Sequence, residues 1–361
     1  MNENMSAYKP DWLEAKQRMT DWWSGKKVDR VVASVIAPLS KAGMSDYIDK
    51  TPEKYTDADT VFHNLGRQLN NTFWGGEAFP EHFVYFGPMY SSMVYFGATP
   101  NFASSTTWYE PCFNSLDDIM AYKPDPKNNK WWQAIIQMQK KSVEISAGAH
   151  LVTCISVGAI IDTLAGLLGN EELLCAMADE PEKVIKARDM LLEHTIPTFD
   201  DSYEATKLCN GYGNTALGVW APGRARANQC DLCVMISPQM FDEFVFYDMK
   251  HMYDGLDHGM YHLDGEEEIK HLDSLLKIDK LHMIQWVPST RVNESSYSNP
   301  MNWIDLFKRI QNAGRKVLII NARYDEITKL LDKIDRDLVY LQVSCPDEQT
   351  ARKVLRELER R

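Results

Sequence analysis

Four consecutive strand–helix units in the C-terminal third constrain this chain more than any other feature. Met260 to Leu263 is a short apolar run, and Ile269, Leu272, Leu275 and Leu276 follow it at helical spacing. Leu281 to Val287 ends at Pro288-Ser289, ahead of a helix marked by Trp303, Leu306, Phe307 and Ile310 and stopped by Gly314. Lys316 to Ile320 precedes Ile327, Leu330, Leu331 and Ile334. Leu338 to Val343 precedes Ala351, Val354, Leu355 and Leu358. A strand that returns in the same direction needs a crossover, and a helix supplies it, so these strands are parallel.

The first half carries the same alternation less regularly. Val31 to Ile36 reads as a buried strand ending at Pro38, and His150 to Val157 and Thr215 to Trp220 as two more. Phe83 to Tyr95 is apolar and aromatic, but Gly87-Pro88 interrupts it. Pro181 takes a first-turn position in a long helix, and Ser237 N-caps a helix that buries Phe241, Phe244 and Val245. The count reaches eight strands, each followed by helical material, which is a (β/α)8 TIM barrel of the α/β class. An open doubly wound sheet is the alternative, but no glycine-rich GxGxxG turn follows the first strand. Residues 1–30, with Trp12, Trp22 and Trp23, form a helical N-terminal extension that caps the barrel or packs outside it. One domain over 1–361 suits this architecture.

Net charge narrows the partners. At −12 the chain is acidic, whereas phosphate backbones require a basic surface, so nucleic acid is not the expected partner. Arg224 and Arg226 mark a local basic pocket. No apolar run reaches the length of a membrane span, and the polar first residues lack a signal-peptide core. Seven scattered cysteines, of which only Cys230 and Cys233 stand in CxxC spacing, fit a reduced, cytoplasmic location. Ten tryptophans and sixteen tyrosines serve as packing or line a cavity for a flat or apolar ligand. An acidic barrel of this size commonly pairs as a homodimer.

Strand ends on one face are where such barrels place their chemistry. His262 and Asp264 close the strand that opens the C-terminal series, and a two-residue spacing puts both side chains on one face. Together they can bind a divalent metal, or serve as a base and its orienting partner; the alternative is a hydrogen-bonded pair of structural use only. Cys345 follows the last strand and precedes a helix start, where thiolate is favoured. With Cys345 beside them, the pair would offer nitrogen, oxygen and sulfur, a set that suits zinc. Asp231 lies between two apolar segments as a site acid or a packing acceptor, and Glu77 is a loop carboxylate of the same ambiguity. Cys230 is a second candidate sulfur ligand, while His258, His271 and His282 are weaker candidates, His271 facing solvent or the next helix. Glu77, Trp220, Arg224 and Trp286 are the candidate substrate contacts. No GxxxxGK[ST], HExxH, GxSxG or corrinoid-binding Asp-x-His-x-x-Gly stretch is present.

Gln229-Cys230-Asp231 leading into Ser237-Pro238-Gln239-Met240-Phe241, then His262-Leu263-Asp264-Gly265, Ile284-Gln285-Trp286-Val287-Pro288 and Cys345 carry a resemblance. The chain resembles the uroporphyrinogen decarboxylase superfamily, and is most similar to the corrinoid-dependent methyltransferase-like branch with relatives labelled trimethylamine corrinoid protein. That resemblance implies a TIM barrel and zinc held by a histidine, a cysteine two residues later and a cysteine after the last strand. His262 matches the histidine, Cys345 the late cysteine, and Asp264 stands where the first cysteine would be, a harder ligand with less thiolate character. The decarboxylases grip their polycarboxylate substrate with N-terminal arginines, and the segment Asp29 to Ala33 lacks such a cluster.

The expected function is therefore zinc-dependent transfer of a methyl group between a corrinoid, supplied by a partner protein, and a small thiol or folate acceptor. His262, Asp264 and Cys345 would hold zinc, with Asp231 and Asp264 as the catalytic acids. One alternative is a metal-independent decarboxylase or lyase working through Asp231 and Asp264. Another is a non-catalytic barrel that binds a corrinoid or tetrapyrrole.

Overall fold

The computed structural model describes residues 3–40, 52–84, 91–104, 106–153, 158–288 and 299–359. In chain order the strands begin with β1 (Val32–Pro38), β2 (Thr72–Gly76), β3 (Glu81–His82), a hairpin of β4 (Pro100–Phe102) and β5 (Thr107–Tyr109), and β6 (Leu151–Val152). A second hairpin, β7 (Gly213–Ala216) and β8 (Val219–Pro222), precedes β9 (Ala225–Asn228), β10 (His258–Asp264), β11 (Leu281–Val287), β12 (Lys316–Ile319) and β13 (Val339–Ser344). Six strands run parallel in the order β1, β13, β12, β11, β10, β9, and β2 adds antiparallel to β1. β3 and β6 form a separate parallel pair. The result is a mixed α/β fold around a central parallel sheet, consistent with a TIM-barrel-like architecture, and among the described residues the ladder is not continuous between β1 and β3 or between β6 and β9.

Side chains bridge the second of those gaps. The Asn210 amide pairs with both backbone groups of Val152, accepting at 2.9 Å and donating at 2.7 Å, as a neighbouring strand would. Asn214 on β7 donates to the Ala225 carbonyl on β9 at 2.5 Å. The hairpin that carries these contacts replaces the single strand expected over Thr215 to Trp220. Its turn, Leu217-Gly218, has positive φ at both positions (53° and 69°), the geometry that matches the twist of a two-residue hairpin. Gly218 is the one composition cue for this turn, and Leu217 beside it gives none.

Alternation along the strands divides the interior in two. Val32, Met260, Met283, Leu318 and Tyr340 project into one apolar cluster with Trp12, Trp22 and Trp23. Their neighbours Val35, Tyr261, Leu263, Ile284 and Leu341 project outward and pack under the helices. Helix Trp12–Trp23 lies across the end where strands begin. Trp22 donates its indole N–H to the Asp337 carbonyl just before β13, and Trp23 rests on His258 at the start of β10, ring centroids 4.5 Å apart. This N-terminal helix thus covers the end of the sheet where the strands begin. Further along the chain, Glu266 to Ile278 is not one helix but a 3-10 turn, Glu266–His271, running into the short helix Leu272–Leu275. The segment Phe83 to Tyr95 holds a helix at Ser91–Tyr95, and its residues 85–90 lie outside the described part.

Glu77 locks the cap to the sheet. Gly76 turns the chain with φ +64°, where a Cβ would meet the Ala33 carbonyl oxygen at 2.1 Å. The fully buried Glu77 carboxylate then accepts from Arg18 at 2.9 Å, from Arg30 at 2.6 Å and 3.0 Å, and from the Ala33 N–H at 2.8 Å. Glu77 is accordingly a saturated structural anchor and has no free lone pair to offer a substrate. Removing it strands the poorly solvated Arg30 guanidinium, while Arg18 keeps its pair with Asp29, so Glu77→Ala is expected to cost about 3–5 kcal/mol in denaturant unfolding. A loss under about 1 kcal/mol, the range of exposed pairs, would contradict this role.

Candidate functional site at the barrel mouth

Polar residues replace apolar ones as the strands approach their C-terminal ends. On β10 the inward series is Met260, His262, Asp264; on β11 it passes from Met283 to Gln285; on β13 from Tyr340 through Gln342 to Ser344; on β1 from Val32 to Ser34. The parallel register sets His262 beside Gln285. A hydrogen bond joins His262 Nδ1 to Gln285 Oε1, and since a carbonyl oxygen only accepts, Nδ1 carries the hydrogen. The other ring nitrogen, Nε2, lies 3.8 Å from Asp264 Oδ2. Burial works against a charged imidazole here, but the neighbouring Asp264 carboxylate, the Gln285 bond and the Asp231 charge outweigh it, and the His262 pKa lies above its ordinary value of 6.5.

Asp231 enters this group from the loop after β9. Gln229 donates to its Oδ1 at 2.9 Å. Its backbone N–H and that of Leu232 donate to Asp162, at 2.9 Å each, and Asp162 sits in the first turn of helix Ile160–Leu168. Burial, reinforced by the Asp231 charge, pushes the Asp162 carboxyl well above the carboxylate range. On the far side of β10, Glu268 accepts from the Asp264 N–H at 3.2 Å and from the Tyr261 hydroxyl at 3.3 Å. Burial is again the first cause that lifts Glu268, to about 11, followed by the Cys233 charge. No pattern of spacing singles out Asp162 or Glu268; the first is recognised by two backbone N–H donors and the second by the Asp264 N–H and the Tyr261 hydroxyl that close on it. Gln285, a polar residue inside an apolar run, did carry a signal.

The other residues singled out in the sequence sit elsewhere. Trp220 is buried beneath the barrel against Trp12, ring centroids 6.0 Å apart, and donates to the Asn210 carbonyl. Arg224 lies at the strand-start end, where its N–H donates to Asp257 and its guanidinium pairs with Asp200. Arg226 is buried within β9, its guanidinium 5.5 Å from the Phe199 ring. Trp286 points outward from β11 and meets Trp303 edge-on at 4.7 Å. His258 and His282 meet edge-on at the strand-start end, ring centroids 5.5 Å apart. His271 is buried against Phe241 and bonds the Cys233 carbonyl at 2.8 Å. Cys230 is fully buried, with its thiol 3.8 Å from Asp162. Thus four proposed substrate contacts, Glu77, Trp220, Arg224 and Trp286, are occupied in packing or ion pairs away from the mouth.

The proposed metal ligands are only partly gathered. His262 and Asp264 adjoin, but Cys345 follows β13, three strands along the sheet from β10. Its N–H bonds the Ile36 carbonyl, and burial, with the Asp347 charge, raises its thiol to about 11. Among the described residues no group of three or more His, Cys, Asp and Glu is arranged to hold a metal ion. A catalytic zinc takes three protein ligands, so the described donors fall one short.

A cavity of about 490 Å³ opens in the mouth on the opposite side from His262. Ser34 and Ile36 of β1, Glu81 of β3 and Gln342 and Ser344 of β13 form its floor, and helix Ala58–Asn71 forms a wall. Glu81 accepts from the Thr153 hydroxyl at 2.6 Å, yet burial holds its carboxyl above the usual range. Behind it, Ser142 links His82 and His150 at 2.7 Å and 3.2 Å, and burial drops both imidazoles to about 4.

No protein-family model and no curated protein matches the chain. Among solved structures, a methyltransferase from Methanosarcina mazei shares the fold, with TM-score 0.62 and 13% identity over 96% of this chain and 98% of that one. A B12-independent methionine synthase from Shewanella sp. W3-18-1, in complex with selenomethionine, aligns at TM-score 0.36 and 10% identity over 62% of this chain and 64% of that one.

The three imidazoles should separate in a titration followed by NMR. His262 is expected to titrate above 6.5, and His82 and His150 near 4. The signs oppose. The His262 contribution to stability is present below 6.5 and fades as pH rises through its folded value. That of His82 and His150 is present above 6.5 and is lost as pH falls toward 4. Asp264→Asn should lower the His262 midpoint, and an unchanged midpoint would remove Asp264 as the cause.

Proposed function

We propose that this protein transfers a methyl group between a corrinoid carried by a partner protein and a small acceptor, with His262 and Asp264 handling the acceptor's proton. The observation that carries the reading is the pair itself: a base and a carboxylate 3.8 Å apart at the C-terminal end of a parallel strand. A thiol or amine that gains a methyl group must release a proton, and an imidazole held by Gln285 and raised in basicity by Asp264 is suited to take it. Asp231 supports the resulting imidazolium through its charge. The fold shared with a methyltransferase over nearly the whole chain agrees with this reading.

A bound corrinoid would supply the methyl group as an electrophile. The 490 Å³ cavity has the size of a small-molecule site, so the macrocycle would remain with its carrier above the mouth. No step is derived through zinc, because the described ligands do not complete a set for it. Arg18 and Arg30 are committed to Glu77, so neither arginine is available to a polycarboxylate, which favours methyl transfer over porphyrinogen decarboxylation.

The test is transfer from methylcobalamin to a small thiol, alongside His262→Ala and Asp264→Asn. Both variants should retain the parental melting temperature and lose about 10²- to 10⁴-fold in kcat. Full turnover in folded His262→Ala, or no transfer in the parent to any thiol or folate acceptor, would overturn the proposal.

A further inference from the structure

Two glutamates four residues apart meet opposite environments. Glu77 faces down onto two arginines, while Glu81 faces the mouth cavity and meets one hydroxyl. Thr153 donates to Glu81 at 2.6 Å. Among the described residues no cation forms an ion pair with it. Around the same cavity stand the aromatic side chains of Tyr55, Trp74, Phe79 and Phe83. Lys54, the cation among the described lining residues, turns its ammonium onto the Ser104 carbonyl.

We propose that this cavity is a binding site for a small organic cation with an apolar body, its positive charge at Glu81 and its alkyl groups against the aromatic walls. A carboxylate half-buried in a cavity walled by aromatic rings gains from a counter-charge, and none of the described residues forms an ion pair with it, so a cationic ligand completes the site. Aromatic faces attract the same cation through their quadrupoles and exclude water from its alkyl groups. The neutral amides and hydroxyls of Ser34, Asn321 and Gln342 add no competing charge. The −12 net charge of the chain raises the local concentration of cations over anions at the mouth. Burial, which raises the Glu81 pKa, couples cation binding to ionisation of the carboxyl.

The proposal extends the methyl-transfer reading by naming the charge class of the small molecule, and it is tested without turnover, so either can fail alone. Calorimetry compares choline with its uncharged carbon isostere, 3,3-dimethylbutan-1-ol, on the full chain. Choline is expected to bind one per chain and at least about tenfold more tightly than the alcohol, the scale of one desolvated cation–π or ionic contact. Glu81→Gln should abolish that preference while leaving alcohol binding unchanged, and Trp74→Leu should weaken choline about 3- to 30-fold. Equal affinity for the two ligands, a preference that survives in folded Glu81→Gln, or no choline binding up to about 10 mM would each overturn it. The comparison of ligands on the parent decides the matter even if Glu81→Gln does not fold.

Discussion

The buried carboxylate of Glu77 holds together parts of the chain that propensity alone would leave separate. Through Arg18 it reaches the N-terminal helix, through Arg30 the segment before β1, and through the Ala33 N–H the strand itself. Its own carbonyl accepts from the Tyr340 hydroxyl on β13 at 3.4 Å. Such a network gains little over a well-packed apolar substitute, because each ion is desolvated to make it. What it secures is position: the tryptophan-bearing helix is pinned across one end of the sheet, and the opposite end is left for chemistry.

That division propagates up the interior. Below, Met260, Met283 and Tyr340 bury against the cap and set the spacing of the strands. Above, every second residue becomes polar, and each buried carboxyl must find donors or keep its proton. Asp162 accepts two backbone N–H groups and still lies high because it is buried, with the Asp231 charge adding to the effect. Burial is likewise the first cause for Glu268, ahead of the Cys233 charge. His262 keeps its proton for a different reason, since Asp264, the Gln285 bond and the Asp231 charge favour the cation over the cost of burial. The mouth therefore sets buried carboxyls and a basic imidazole at one rim, an arrangement suited to proton transfer.

Much of the C-terminal fold was legible because each strand is an unbroken apolar run and each helix has its own stripe. Leu281–Val287 emerges with the bounds its hydrophobic run suggests, and β10, β12 and β13 within a few residues. The first half resisted because β3 is a two-residue strand, too short to generate a period, while the strand expected over His150 to Val157 appears as β6 at Leu151–Val152 and its residues 154–157 lie outside the described part. The β7–β8 hairpin turns at Leu217-Gly218, where Gly218 is the one cue and Leu217 takes positive φ unannounced. Of the site, His262 and Asp264 were readable from their spacing, which fixes a shared face. Glu77 and Glu81 were not distinguishable, since both follow a glycine- or proline-bearing bend and only the fold decides which one meets arginine.

The same distinction bears on how the two rims of the mouth would cooperate. A proton acceptor at β10 accelerates nothing unless the reacting molecule is held within reach, and positioning of that kind contributes as much to a rate as the acid–base group does. The β10–β11 rim is built of groups whose charge responds to protons, and the β13–β1–β3 rim of neutral donors, aromatic faces and one carboxylate. A ligand gripped at Glu81 would present its remaining atoms toward the open centre, where no described side chain competes for them by an ion pair. On this reading binding and proton handling are assigned to opposite strands, so that substrate charge can be neutralised at one rim without shifting the pKa of His262 at the other, beyond the short range over which a screened charge acts.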